Sequence, residues 1–140
     1  MKIAIINGPN LNLLGKREID IYGTESFDII FNKLVQSFPE ISFSYFQSNV
    51  EGELINAIQE YGFNFDGIIL NPGGYTHTSV ALGDAIAAIT APVVEVHISN
   101  IHAREDFRKI SHVSSQAIGC ITGLGLQGYY LAAQYFKNKQ

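Results

Sequence analysis

Two pairs of residues are spaced for acid–base chemistry. Glu95 and His97 sit two positions apart at the end of an apolar run, which puts both side chains on one face of a strand. A carboxylate beside an imidazole fixes its tautomer and supports its protonated form, so His97 is a candidate general acid near neutral pH. Arg17 and Tyr22 share the stretch 7–23. A phenol ionises near pH 10, about three units too high for a base at neutrality, and a neighbouring guanidinium favours its charged form. Tyr22 is thus a candidate general base. Asn10 and Asn71 offer uncharged donors for an oxyanion or hydroxyl. The backbone N–H groups of Ile98 and Ser99 can cradle a carboxylate. Each feature also fits a plainer role: a packing tyrosine, a hydrogen-bonded structural histidine, turn asparagines. Arg108, near Glu105 and Asp106, reads equally as a helix-surface arginine.

Cofactor signatures are missing from the sequence. His77, His97, His102 and His112 make no His-Glu-x-x-His motif, and Cys120 is the single cysteine. Neither a Walker loop nor a Gly-x-Gly-x-x-Gly follows the first apolar run, so no metal and no nucleotide is expected. The formal net charge of −4 speaks against a general nucleic-acid binder; an anionic ligand must be held by local cations. Cys120 lies in an apolar run and is expected to be an inert buried thiol. No apolar stretch is long enough for a bilayer, and Met1-Lys2 leads into a strand without a cleavage pattern. A cytoplasmic protein that does not engage membranes is expected. With 140 residues, 46% hydrophobic and 16% charged, the chain reads as one packed domain over 1–140.

The elements that must position these residues alternate. Apolar runs over 2–7, 41–46, 66–71, 92–96 and 117–121 read as strands. Phe27, Ile30, Phe31, Leu34, Val35 and Phe38 follow helical spacing, with Thr24 or Ser26 as N-cap and Pro39 as terminator. A second helix opens at Glu51 and Glu53, buries Leu54, Ile55 and Ile58, and stops at Gly62. A third runs over 79–89 with Leu82, Ala85, Ile86 and Ile89 inward. A short one covers 104–110, and a last one covers 126–137 with Leu131 and Tyr135 in its apolar set. Strands alternating with helices imply a three-layer α/β sandwich: five parallel strands, right-handed crossovers, helices on both faces. In the flavodoxin-like order 2-1-3-4-5, strands one and three flank the reversal point where ligands bind. The loops after strands one, three and four begin with Asn7-Gly8-Pro9-Asn10, Asn71-Pro72-Gly73-Gly74 and His97-Ile98-Ser99-Asn100, so all three converge there. The stretch 7–23 exceeds the usual 2–6 residues of a strand–helix loop and is bracketed by Gly15 and Gly23, as a lid would be.

These motifs resemble a known family. Asn7-Gly8-Pro9-Asn10-Leu11-Asn12-Leu13-Leu14-Gly15 with Arg17-Glu18 and Tyr22-Gly23 is similar to the opening of type II 3-dehydroquinate dehydratases. The segments 71–79, 95–108 and 123–132 resemble the later signatures, in order and across essentially the whole chain. The resemblance implies dehydration of 3-dehydroquinate to 3-dehydroshikimate by anti elimination through an enolate, without Schiff base, cofactor or metal, on the way to chorismate and the aromatic amino acids. It implies Tyr22 as base, with Arg17 lowering its pKa, and Asn10 holding the water that stabilises the enolate. It implies His97 as acid, oriented by Glu95. Asn71 and the backbone of Ile98 and Ser99 would bind the carboxylate end, and His77 and Arg108 the ring hydroxyls. Asp84 would reach in from a neighbouring subunit of a dodecamer built as a tetramer of trimers.

Two positions depart from the family pattern: Ile19 stands where proline is common, and Lys109-Ile110 replace a His pair before Ser111. Loss of a proline leaves the loop less restricted. A non-catalytic flavodoxin-like module, for instance for flavin mononucleotide, is the alternative from another class. It rests on fold analogy alone, and the first loop lacks the Ser/Thr-rich phosphate cradle it needs. A receiver-type signalling domain needs clustered acids where Asn7-Gly8 stands.

Overall fold

The computed structural model describes residues 1–139. Five strands form one parallel sheet: β1 Lys2–Asn7, β2 Ser42–Gln47, β3 Gly67–Asn71, β4 Val93–His97 and β5 Gly119–Thr122. Their order is β2-β1-β3-β4-β5, the one expected. The helices are α1 Ile19–Tyr22, α2 Phe27–Ser37, α3 Glu51–Asn64, α4 Val80–Ala88 and α5 Gln127–Lys137.

The continuous apolar runs divide between two cores. Ile3, Ile5, Ile69, Val94 and Val96 face α2 and α5 with Phe27, Leu34, Tyr129 and Phe136. Ala4, Ile6, Ile68, Leu70 and Val93 face α3 and α4 with Leu54, Ile58, Leu82 and Ile86. A strand covered on both faces has no polar side, which is why the run shows no alternation. Each fully buried Ile or Leu contributes on the order of 1.5–3 kcal/mol of transfer free energy.

Several expectations need correction. The stretch 7–23 is not all loop: a single 3₁₀ turn covers Leu11–Leu13, and α1 closes it. Gly62 does not stop α3, which continues to Asn64; Gly62 instead gives room to Ile89, into which a Cβ would run. On α5, Leu131 and Tyr135 are 41% and 39% exposed, and the inward face is Tyr129, Ala132, Ala133 and Phe136. Val35 on α2 is exposed as well. The Ser26 N-cap makes no side-chain capping bond. The segment 104–110 is no regular helix; 3₁₀ turns at Ile101–Ala103 and Asp106–Lys109 take its place. Cys120 is an exposed residue of the edge strand β5, not a buried one.

One polar network crosses the first core. Asn7 and Asn71 are register partners at the ends of β1 and β3. The Tyr129 hydroxyl, fully buried on α5, donates to Asn7 Oδ1 at 2.8 Å and accepts from Asn71 Nδ2 at 3.1 Å. Asn71 Oδ1 accepts from the Gly73 N–H at 3.1 Å. Burial drives the Tyr129 phenol far above its ordinary value, so it stays a neutral donor. Among the described residues no buried side-chain polar atom lacks a partner.

Tyr129→Phe keeps the ring and strands Asn7 Oδ1 and Asn71 Nδ2 in the core. It is expected to lower unfolding stability by about 1–3 kcal/mol with an unchanged urea m-value. A urea midpoint equal to wild type would show that the network is no constraint.

Candidate active site

The cavity lies beyond the carboxyl ends of β1, β3 and β4. Its volume is about 240 Å³. Close contact between two loops shapes its floor. Gly8 N–H donates to the Asn71 carbonyl at 2.7 Å, and a Cβ on Gly8 would overlap the Pro72 carbonyl oxygen. Only glycine lets the first loop lie that near the third. Asn10 then turns into the left-handed region at φ 69° and makes no capping bond with its side chain. Asparagine tolerates this conformation. Glu18, at φ 41°, does so at a cost, immediately before α1 presents Tyr22.

Tyr22 is half-buried and meets two cations. The Arg17 guanidinium carbon sits 5.2 Å from the centre of its ring. Arg104 Nη1 donates to its hydroxyl at 3.1 Å and to Ser99 Oγ at 3.2 Å. A charged donor on a phenol oxygen stabilises negative charge there. Arg17 also pairs with Glu18 at 2.5 Å.

Glu95 and His97 share one face of β4, as their spacing requires, and both are buried. His97 Nε2 is 2.6 Å from Glu95 Oε1. That bond leaves Nδ1 as the ring nitrogen that can exchange a proton with a ligand. Burial would raise the Glu95 carboxyl, but hydrogen bonds from His97, Ser114 and Ser111 outweigh it and hold the group below the ordinary carboxylate value. The His77 ring stacks near His97 with centroids 6.5 Å apart, and its Nδ1 donates to the Ile110 carbonyl at 2.7 Å. Burial lowers His77 from its usual value and keeps it neutral at pH 7, with Nε2 open for a hydroxyl.

The carbonyls of His97, Ile98 and Ser99 are tied to Gly123 N, Gly125 N and Thr122 Oγ1. This turns the chain after β4 so that Ile98 and Ser99 line the cavity. Asn10, Arg17, Tyr22, Asn71, His77, His97 and Arg108 line it too. Glu95 sits behind His97, outside the lining. Asp84 is exposed on α4 and does not reach the cavity of its own chain. Arg108 pairs with Glu105, an ion pair that the spacing did not make obvious. Three arginines, 17, 104 and 108, bring positive charge to the cavity within a chain of net charge −4, with Arg17 paired to Glu18 and Arg108 to Glu105. The cavity suits an anionic ligand.

Arg104 falls inside the segment 95–108 whose motif the sequence shows, but the sequence gives it no role at the site. It lies far from Tyr22 in the chain, and the turn at 101–103 alone swings it back. Glu95, His97 and Cys120 are the one group of possible metal donors among the described residues, their ligand atoms lying within 4.8 Å of one another. Both Glu95 oxygens already accept hydrogen bonds. Although the residue is exposed, partial desolvation on its inner side and the nearby carboxylate push the Cys120 thiol up to about 11, whereas a metal needs the thiolate. The set is built for hydrogen bonding.

Comparison with known proteins gives one consistent result. The family model described as dehydroquinase class II matches residues 1–137. A 3-dehydroquinate dehydratase of Fusobacterium nucleatum is 61% identical, over 96% of this chain and 95% of that protein. One of Bacillus licheniformis is 54% identical over 97% and 95%. The crystal structure of type II dehydroquinase from Butyrivibrio crossotus superposes with TM-score 0.94 at 46% identity, over 98% of this chain and 97% of that one.

The lowered Glu95 value carries a sign. Its contribution to stability is complete above the unfolded carboxylate value, about pH 4.3, and is lost as pH falls through the lower folded value. In Glu95→Gln the decline of stability just below pH 4.3 is expected to be shallower, by at most about 1.4 kcal/mol per pH unit. Urea midpoints taken at stepped pH measure it. Parallel curves for the two proteins would refute the charge assignment.

Proposed function

The chain belongs to the class II dehydroquinase family, and from that premise we propose how its cavity residues carry out the reaction. It removes water from 3-dehydroquinate to give 3-dehydroshikimate. Tyr22 as phenolate takes the proton next to the ketone. The electron pair moves into a carbon–carbon double bond, and charge collects on the ketone oxygen as an enolate. Asn10 holds a water against that oxygen. The enolate collapses and expels the C1 hydroxyl, which leaves as water with a proton from His97. Asn71 and the N–H groups of Ile98 and Ser99 bind the carboxylate; His77 and Arg108 bind ring hydroxyls.

The observation that carries this reading is the meeting of Tyr22 and His97 in one arginine-lined cavity. Each has its own charged partner: Arg104 on the phenol oxygen and Glu95 on the imidazole. Base and acid come from different elements, as an anti elimination across a ring requires. No lysine lines the cavity among the described residues, so an imine route has no amine at hand. Preorganised donors at a developing enolate contribute about 2.7–4 kcal/mol each in comparable sites.

The reading extends to assembly. In the assembly proposed, a cytoplasmic dodecamer of four trimers, Asp84, which is exposed on α4, reaches into a neighbour's site. Among the described residues no helix is long and apolar enough to cross a membrane.

The test is ultraviolet detection of the conjugated enone formed from 3-dehydroquinate, with and without borohydride. Product formation that borohydride does not inactivate is expected. Tyr22→Phe should reduce kcat by about 10²–10⁴ while binding of a ring-carboxylate product analogue changes only a few-fold. Near-normal turnover in that variant sinks the base assignment.

A further inference from the structure

Glu95 has no exposure to water, and a buried carboxylate is tolerable only if its oxygens are satisfied. His97 supplies one donor. The segment after Ile110 supplies two more: Ser111 Oγ donates to Oε1 at 3.0 Å, and Ser114 Oγ donates to Oε2. The Ser111 oxygen also accepts the backbone N–H of Val113 at 3.1 Å and of Ser114 at 3.0 Å. A hydroxyl has one proton and two lone pairs. With both lone pairs taken, the Ser111 proton has the carboxylate as its remaining partner. The short turn over 111–114 therefore works as a preset pair of donors aimed at one anion.

We propose that Ser111 and Ser114 are positioning residues for the elimination: they anchor the Glu95 carboxylate and thereby set how readily His97 gives up its proton. The inference rests on the reading of His97 as the general acid. With a proton on the Glu95–His97 pair, the carboxylate faces a cation and needs the hydroxyls less. Once the proton has gone to the leaving hydroxyl, the pair is a buried anion and needs them more. Donors that favour the deprotonated pair make His97 the stronger acid. Other titratable groups facing His97 are His77, stacked at 6.5 Å, and Cys120, opposite Glu95 in the strand register. Tyr22, Glu18 and the arginines 17, 104 and 108 stand around the cavity. Among the described residues only the serines add hydroxyl donors to Glu95, and no backbone group depends on the Ser114 hydroxyl.

The experiment is the pH profile of kcat/KM and kcat, followed by enone absorbance, for wild type, Ser114→Ala, Ser114→Thr and His97→Asn. In Ser114→Ala the alkaline limb is expected to move up by about half to one pH unit, with kcat down several-fold and KM within about two-fold. Ser114→Thr restores a hydroxyl and should return the limb towards its wild-type position. A merely structural serine lowers activity without moving the limb. An unmoved or downward-shifted limb in folded Ser114→Ala overturns the proposal, as does an equal shift in Ser114→Thr. Should Ser114→Ala not fold, Ser114→Cys, of similar size but a much weaker donor, is read by the same criteria. His97→Asn separates the two levels: if it keeps the alkaline limb and most of its turnover, the acid assignment itself fails, whatever the serines do.

Discussion

In a parallel sheet all strands end at the same edge, and the groups presented there depend on register. Here Asn7 and Asn71 are partners, and His97 ends the next strand over. Because successive side chains alternate, the asparagines point into the core of α2 and α5 while Glu95 and His97 point to the other face. One hydroxyl, that of Tyr129, spans both asparagines. If that register slipped by one residue, Ile6, Leu70, Val94 and Val96 would take the places of Asn7, Asn71, Glu95 and His97 at the cavity floor. The strands would remain; the site would not.

Charge is distributed on the same logic. The sheet contributes a single buried carboxylate, fully hydrogen-bonded, with an imidazole between it and the cavity. The loops contribute the arginines. Keeping the anion behind the histidine and the cations around the mouth lets an acidic protein receive an anionic substrate. Removal of water from the cavity strengthens each of these contacts. Gly15 and Gly23 of the first loop both lie in the left-handed region that suits glycine.

Much was legible before any coordinate. Hydrophobic runs separated by helical spacing imply the parallel sheet, because only strands buried on both faces are apolar throughout. The Glu95–His97 pairing follows from strand geometry alone. Contacts that depend on irregular backbone were not legible. Arg104 reaches Tyr22 only through the 3₁₀ turn at 101–103. Ser111 and Ser114 gain meaning only when their turn is folded against β4. The outward turn of Leu131 and Tyr135 shows the same limit on a helix: an apolar residue type does not say which of two apolar stripes faces inward.

The amino-acid order by itself determined the element sequence, the polar loops at the strand ends and the Glu95–His97 pairing. These depend on local periodicity and on side-chain alternation, which neighbouring residues impose on one another. The tertiary structure decided which cation touches the phenol, which hydroxyls hold the buried carboxylate and which amide the core tyrosine orients. Those contacts join residues far apart in the chain, across turns whose φ and ψ are set by packing, and no local pattern encodes them.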